Sequence, residues 1–298
     1  MRHLRPLALV LLAALTVGTA SAQARPVSHE TKQSRDQVVR YWTAERMQNA
    51  MPAERSRRPL AKKGGGGGAT SSATSVEPST YPTAHGKVFF SDGSLNYVCS
   101  GTAVDSANQS VVWTAGHCVN DGPGDFFTNF LFVPAYKDRN APRGTFAATT
   151  LLTTSSWEAS QEWGVDLGAA VVGRNASGQT LAQAVEERPV VFGSPRNQGY
   201  ALYGYPAAKK FSGQRMRVCN TAWALNDLAV PLTMGVPCDM TGGSSGGGWV
   251  TSSGAVASVV SYGYASLHNY LFGPFMEDGG QAEDLFDFAQ AQAQAQAQ

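Results

Sequence analysis

Two stretches of the chain combine residue types that could do nucleophilic chemistry. In CDMTGGSSGGGW, Cys238 to Trp249, adjacent serines sit inside a run of glycines, and in VVWTAGHCV His117 follows an apolar run at a turn. Glycine gives up more chain entropy on folding than any other residue, so a glycine run held between Cys238 and the apolar Trp249-Val250 reads as a tight turn or a close backbone approach. A nucleophilic serine needs a base within hydrogen-bond reach and backbone N–H groups aimed at the developing oxyanion. Gly243, two residues before Ser245, supplies an N–H that no side chain obstructs. On that geometry Ser245 is the nucleophile, and the amides of Gly243 and Ser245 are the oxyanion donors.

The base must be a histidine or another titratable group. Of the five histidines, His3 and His29 fall in segments expected to be removed or detached, which leaves His85, His117 and His268. His117 stands beside Cys118, and a disulfide there would pin the backbone of a group that must shuttle a proton with fixed geometry. Taken alone, a histidine at a strand end is more often structural. The same glycine run also satisfies G-x-S-x-G with Ser244 as nucleophile, but that fold requires an acid and then a histidine after the serine. Only His268 follows, no Asp or Glu lies between Gly246 and His268, and strand–helix alternation is missing. That reading fails on order and on fold.

The elements that must position these residues are short. From about Gly86 the 298-residue chain becomes a series of apolar runs punctuated by Gly, Asn, Pro and Ser. They are KVFF (87–90), NYVCSGTAV (96–104), SVVWTA (110–115), NFLFVPAY (129–136), LGAAVVG (167–173), PVVFG (189–193), ALYGYP (201–206), GGWVT (247–251) and AVASVVSYGY (255–264). Long helical periodicity is absent until Gln281–Phe288. Many short strands with turns between them predict an all-β barrel or sandwich, and the length suffices for two such cores.

Ahead of this domain the texture differs. Residues 1–24 have the basic start, apolar core and small-residue end of a secretory signal peptide, and the apolar run is too short to span a membrane. Residues 25–63 carry 10 Lys/Arg against 4 Asp/Glu, whereas residues 64–298 carry 11 against 18. The acidic balance of the larger part argues against a nucleic-acid-binding surface. Ser34 and Gln37 can form a capping box, followed by Val38, Trp42, Met47 and Met51 at roughly helical spacing, with Pro52 as the stop. Two readings stand for residues 25–63: a pro-segment packed on the main domain, or a loosely ordered basic arm. The pairs Arg57-Arg58 and Lys62-Lys63 are candidate processing sites, residues 64–80 have linker composition, and residues 289–298 form a low-complexity tail expected to fray. Export makes disulfides the default for Cys99, Cys118, Cys219 and Cys238; sequence leaves three pairings open, and no C-x-x-C pair favours zinc.

TAGHC followed downstream by GGSSGG resembles the trypsin/chymotrypsin-type serine peptidases, and within them the secreted bacterial branch that includes the glutamyl endopeptidases. The resemblance spans roughly Gly86 to Phe275 and implies two six-stranded antiparallel Greek-key β-barrels over residues 81–288, with a short C-terminal helix. It implies His117 as general base, Ser245 as nucleophile, and Asp166, at the head of VDLGAAVV, as the carboxylate that orients His117. The other carboxylates between His117 and Ser245 are Asp121, Asp125, Asp138, Glu158, Glu162, Glu186, Glu187, Asp227 and Asp239; Asp121 and Asp125 follow His117 closely in a Gly/Pro loop that reads as turn chemistry. The family pattern pairs Cys99 with Cys118, leaving Cys219 with Cys238. Ser261, Tyr262 and Gly263 would pair with the substrate backbone as an added strand.

Two departures matter. Ser244 stands where trypsin and chymotrypsin carry the Asp that pairs with the new N-terminus on activation, so activation here cannot use that ion pair. Gly248 replaces the usual proline, away from the chemistry. For specificity, Asp239 lies six residues before Ser245, where trypsin-like enzymes bind Lys or Arg, so a basic residue before the cleaved bond is one reading; an acidic residue is the alternative, although the His used by glutamyl endopeptidases is replaced by Ser261. The expectation is an exported serine endopeptidase with no cofactor or metal, acting on polypeptides as a monomer, without nucleic-acid or stable membrane association. The rival from another class is an inactive, peptidase-like secreted binding module.

Overall fold

A computed structural model describes residues 25–53, 56–57, 73–264 and 267–293. The expected signal peptide, the Lys62-Lys63 pair and the first part of the linker lie outside the described residues. The chain begins with β1 (Val27–Glu30), α1 (Arg35–Tyr41), α2 (Ala44–Asn49), β2 (Met51–Pro52) and β3 (Ser56–Arg57). Ser34 and Gln37 form the capping box of α1, but the helical pattern does not run on to Met51. Thr43 is extended and caps α2, which splits the segment after Trp42.

The first barrel is built from β4 (His85–Ser91), β5 (Asn96–Val104), β6 (Val111–Thr114), β7 (Thr128–Pro134), β8 (Phe146–Thr153) and β9 (Gly168–Val172). Antiparallel pairing runs β4–β5–β6–β9–β8–β7 and returns to β4, closing a ring of six strands with no free edge. Two short helices, α3 (Ser155–Ser160) and α4 (Leu181–Ala184), interrupt the loops. The second unit holds β10 (Gly199–Gly204), β11 (Arg217–Ala222), β12 (Leu225–Asn226), β13 (Thr233–Pro237), β14 (Gly248–Val250), β15 (Val256–Val259), β16 (Tyr262–Tyr264) and β17 (Leu267–Pro274). Its strands form a four-stranded sheet, β11-β10-β14-β15, and a sheet β12-β13-β17-β16 with β3 on its edge. Trp249, Leu202, Met234 and Val236 pack between the two sheets, and Cys219–Cys238 ties them together. Cys99–Cys118 links β5 to the His117 turn, so both pairings follow the family pattern.

PVVFG is no strand: Val190 makes only an isolated bridge to Val256, because Pro189 has no N–H for a ladder. Residues 73–80 of the expected linker are partly docked, with Val76 and Val218 exchanging backbone hydrogen bonds at 3.0 and 2.8 Å. α5 (Gln281–Gln290) buries Ala282, Leu285 and Ala289 against the first barrel. It runs past Phe288 into the tail, where Asn108 Nδ2 donates to the carbonyls of Ala289 and Gln292 at 2.9 and 3.0 Å.

Lys87 on β4 is buried, with Nζ donating to the Gly213 carbonyl at 2.8 Å and lying over the Phe89 and Tyr136 rings. Burial pushes its ammonium from 10.5 down to about 7. Between those values the unfolded chain binds more protons than the folded one, so this group's contribution to stability rises with pH across that window. Melting curves of the parent are therefore expected to gain on those of Lys87→Met between pH 7 and 10, and a constant difference contradicts the assignment.

Candidate active site

Strand register brings the histidine and the carboxylate together. β6 and β9 run antiparallel with Thr114 opposite Gly168, so the residues just past the end of β6 meet those just before β9. His117 lies there in a 3₁₀ turn, Gly116–Cys118, and Asp166 ends the 3₁₀ turn Trp163–Val165. Asp166 Oδ1 accepts the His117 backbone N–H at 2.9 Å, and Oδ2 faces His117 Nδ1 at 2.8 Å. The Ser261 hydroxyl also donates to Oδ2. Both His117 and Asp166 are buried. Burial alone would raise the Asp166 carboxyl, but its electrostatic interaction with His117 and the hydrogen bonds from His117 and Ser261 outweigh it and hold the group below the usual carboxylate range. An ionised carboxylate can only accept, so His117 Nδ1 is the donor in this contact. Nε2 is buried and has no hydrogen-bond partner among the described residues.

The glycine-rich stretch is a rigid turn between β13 and β14. Ser244 is turned inward: its hydroxyl donates to the Thr241 carbonyl at 2.7 Å. The Ser245 hydroxyl instead faces the Ala53 carbonyl at 3.4 Å. Ser100 of β5 holds this turn against the first barrel. Its N–H donates to the Ser245 carbonyl at 2.7 Å, its hydroxyl donates to the Gly243 carbonyl at 2.9 Å, and its own carbonyl accepts from Thr114 Oγ1 at 2.8 Å. The nucleophile candidate thus abuts the strand end that carries His117. Among the described residues, neither the Gly243 nor the Ser245 N–H has a protein acceptor.

Other sequence candidates fall elsewhere. His85 is buried and stacked on Tyr203 at 4.0 Å; burial, then the Arg188 charge, push it down to about 3, so it is a neutral packing group. Asp227 accepts from the hydroxyls of Tyr262, at 2.7 Å, and Tyr264, which bolts β16 in place. Asp239 offers no free carboxylate: Oδ1 accepts the Ser75 N–H at 2.7 Å and Oδ2 pairs with Lys210 Nζ at 2.8 Å. Ser261 and Tyr262 are buried and Gly263 half-buried, and β16 is the strand that β3 joins. Sequence reasoning missed Ser100 and Ala53, which act through a small hydroxyl and backbone groups that carry no motif.

Two glycines are required by geometry. Gly243 has φ +95° and Gly246 φ +79°, conformations that side-chain-bearing residues rarely adopt. A Cβ on Gly246 would also collide with Thr114 Oγ1 and the Ser100 carbonyl. Gly246→Ala is expected to destabilise the fold by about 3 kcal/mol or more, read from chemical denaturation. A loss below about 1 kcal/mol contradicts the rigid-turn reading.

Comparison with solved structures places this architecture. The protease Anisep from Arthrobacter nicotinovorans superposes with TM-score 0.69 at 40% identity, over 73% of this chain and 100% of that one. The thermostable serine protease AL20 from an extremophilic microorganism gives TM-score 0.66 at 41% identity, over 70% of this chain and 98% of that one. A Glu endopeptidase shares the fold, with TM-score 0.61 at 16% identity over 74% of this chain and 98% of that one. No family model matches the chain. No curated protein matches it either. With relatives at this identity covered along their whole length, the chain belongs to the trypsin/chymotrypsin-type serine proteases, hydrolases that act on peptide bonds.

Proposed function

We propose that the protein is an exported serine endopeptidase, made as a precursor, whose reaction runs through Ser245, His117 and Asp166. The observation that carries this reading is the buried Asp166 carboxylate facing His117 Nδ1 at 2.8 Å, beside the turn that presents Ser245. Ser245 Oγ attacks the scissile carbonyl while His117 Nε2 takes its proton. Asp166 fixes the tautomer and stabilises the imidazolium that forms. The amides of Gly243 and Ser245 receive the oxyanion, each worth about 3–4 kcal/mol in the transition state. His117 then gives its proton to the leaving amine, and water repeats the sequence on the acyl-enzyme. Each step uses only protein groups and water.

The substrate backbone pairs with Ser261 to Gly263 as an added strand. Among the described residues, no helix is long and apolar enough to cross a membrane. Two disulfides fit an oxidising, extracellular setting, which supports export through residues 1–24. Asp239 does not support a preference for Lys or Arg before the cleaved bond. Burial would raise its carboxyl, but Lys210 and Ser75 outweigh that and hold it ionised and satisfied, so an incoming cation finds no open charge.

A fluorophosphonate probe is expected to label the processed protein at Ser245. Ser245→Ala and His117→Ala should lose labelling and casein cleavage with the fold intact. Asp166→Asn should lower kcat by about 10⁴-fold, the loss the same change causes in the Ser-His-Asp template. Folded, processed protein that takes no label returns the inactive binding module.

A further inference from the structure

Residues 25–53 and 56–57 do not hang free of the domain. β1 pairs antiparallel with β8 over Val27–Glu30, and Gln33 and Asn129 exchange hydrogen bonds at 2.7 and 2.8 Å. Val38 of α1 and the C-cap residue Trp42 are buried against the outside of the first barrel, where Trp42 Nε1 donates to the Asn129 carbonyl at 2.6 Å. Beyond α2 the chain turns toward Ser245. Met51 and Pro52 pair in parallel with Tyr97 and Val98, the Ala53 N–H donates to the Val98 carbonyl at 3.1 Å, and the Ala53 carbonyl accepts from Ser245 Oγ at 3.4 Å. Ser56 and Arg57 then pair in parallel with Gly263 and Tyr264 of β16.

We propose that residues 25–57 are a built-in ligand of the candidate active site, in which an anchor, 25–50, holds a plug formed by Met51–Ala53 and Ser56–Arg57 over the nucleophile. The proposal rests on the peptidase reading above. Three features make the plug an inhibitor and not a substrate. The Ser245 proton is directed at the Ala53 carbonyl oxygen, whereas attack requires that proton to go to His117 Nε2, which has no partner among the described residues. The Ala53 oxygen faces the hydroxyl, while the Gly243 and Ser245 amides that would polarise a scissile carbonyl have no acceptor among the described residues. β3 also occupies the β16 edge that a substrate backbone would need.

Latency of this kind needs no rearrangement of the site. The His117–Asp166 contact is already made with the plug seated, and Ser244 stands where an activating Asp would be. The short parallel pairings of the plug are weak by themselves, so the anchor supplies the affinity by raising the local concentration. The charge balance favours the same docking, since residues 25–63 hold 10 Lys/Arg against 4 Asp/Glu and residues 64–298 hold 11 against 18. Cutting the chain at Arg57-Arg58 or Lys62-Lys63 therefore leaves a complex, and activity appears when the released segment dissociates or is degraded.

The test uses the full chain with Arg58→Ala and Lys62→Ala to prevent processing, and follows the rate of fluorophosphonate labelling at Ser245. Replacing residues 51–57 by a Gly/Ser heptapeptide should speed labelling at least about 100-fold, with Trp42→Ala giving an intermediate rate. A synthetic peptide of residues 25–57 should slow labelling of the processed protein competitively, whereas a peptide of residues 25–50 should not. Equal rates for the unprocessed chain and the plug replacement overturn the proposal, as does equal inhibition by the two peptides. Processed protein that takes no label sinks the peptidase reading itself, which separates the two failures.

Discussion

A carboxylate cannot be taken out of water without partners, and Asp166 is fully buried. Its oxygens are satisfied by the backbone and ring of His117, from the first barrel, and by the hydroxyl of Ser261, from the second. Leaving that charge unpaired would be strongly unfavourable, so the requirement draws three chain segments to one point. The same contact fixes the ring of His117 and the start of the strand β16. A single buried charge thus sets where the proposed base, the proposed substrate edge and the barrel interface lie.

Ser100 completes the frame beside Ser245. Through its N–H, hydroxyl and carbonyl it ties β5 to the turn that carries Ser245 and to Thr114 at the end of β6. The Tyr205 N–H donates to the same hydroxyl at 2.8 Å, which brings in the end of β10. Such a hub needs a small side chain with both donor and acceptor capacity, and serine supplies it at the least volume. Rigidity follows from these bonds together with the turn's glycines, whose freedom is spent on φ values other residues avoid.

How much of this was legible in the residues varies with the kind of signal. NYVCSGTAV coincides with β5 because a buried strand reads as a continuous apolar run. β8, FAATTLLT, was hidden because its threonines break the run, although Thr153 is buried with its hydroxyl given to the Leu167 carbonyl at 2.8 Å. AVASVVSYGY looked like one strand but divides into β15, which pairs with β14, and β16, which pairs with β17; the change of partner falls at Ser261, whose N–H donates to the Phe272 carbonyl at 2.8 Å. His117 and Ser245 stood out because turn chemistry surrounds them, while choosing Asp166 required a family pattern, since only register brings it to His117. The anchor helix announced itself through Ser34 and Gln37, but the break at Thr43 and the passage of Ala53 across Ser245 depend on tertiary backbone contacts that leave no mark in composition. Asp239 shows the converse: a suggestive position whose charge is already taken by Lys210.

The central claim is that a hydroxyl in the glycine turn becomes covalently acylated, and that this hydroxyl belongs to Ser245. The most direct test is to quench turnover of a peptide ester in acid and map the adduct by peptide mass fragmentation. The account predicts a substrate-derived acyl group on Ser245. An acyl group on Ser244, or turnover without any acylated serine, would contradict it.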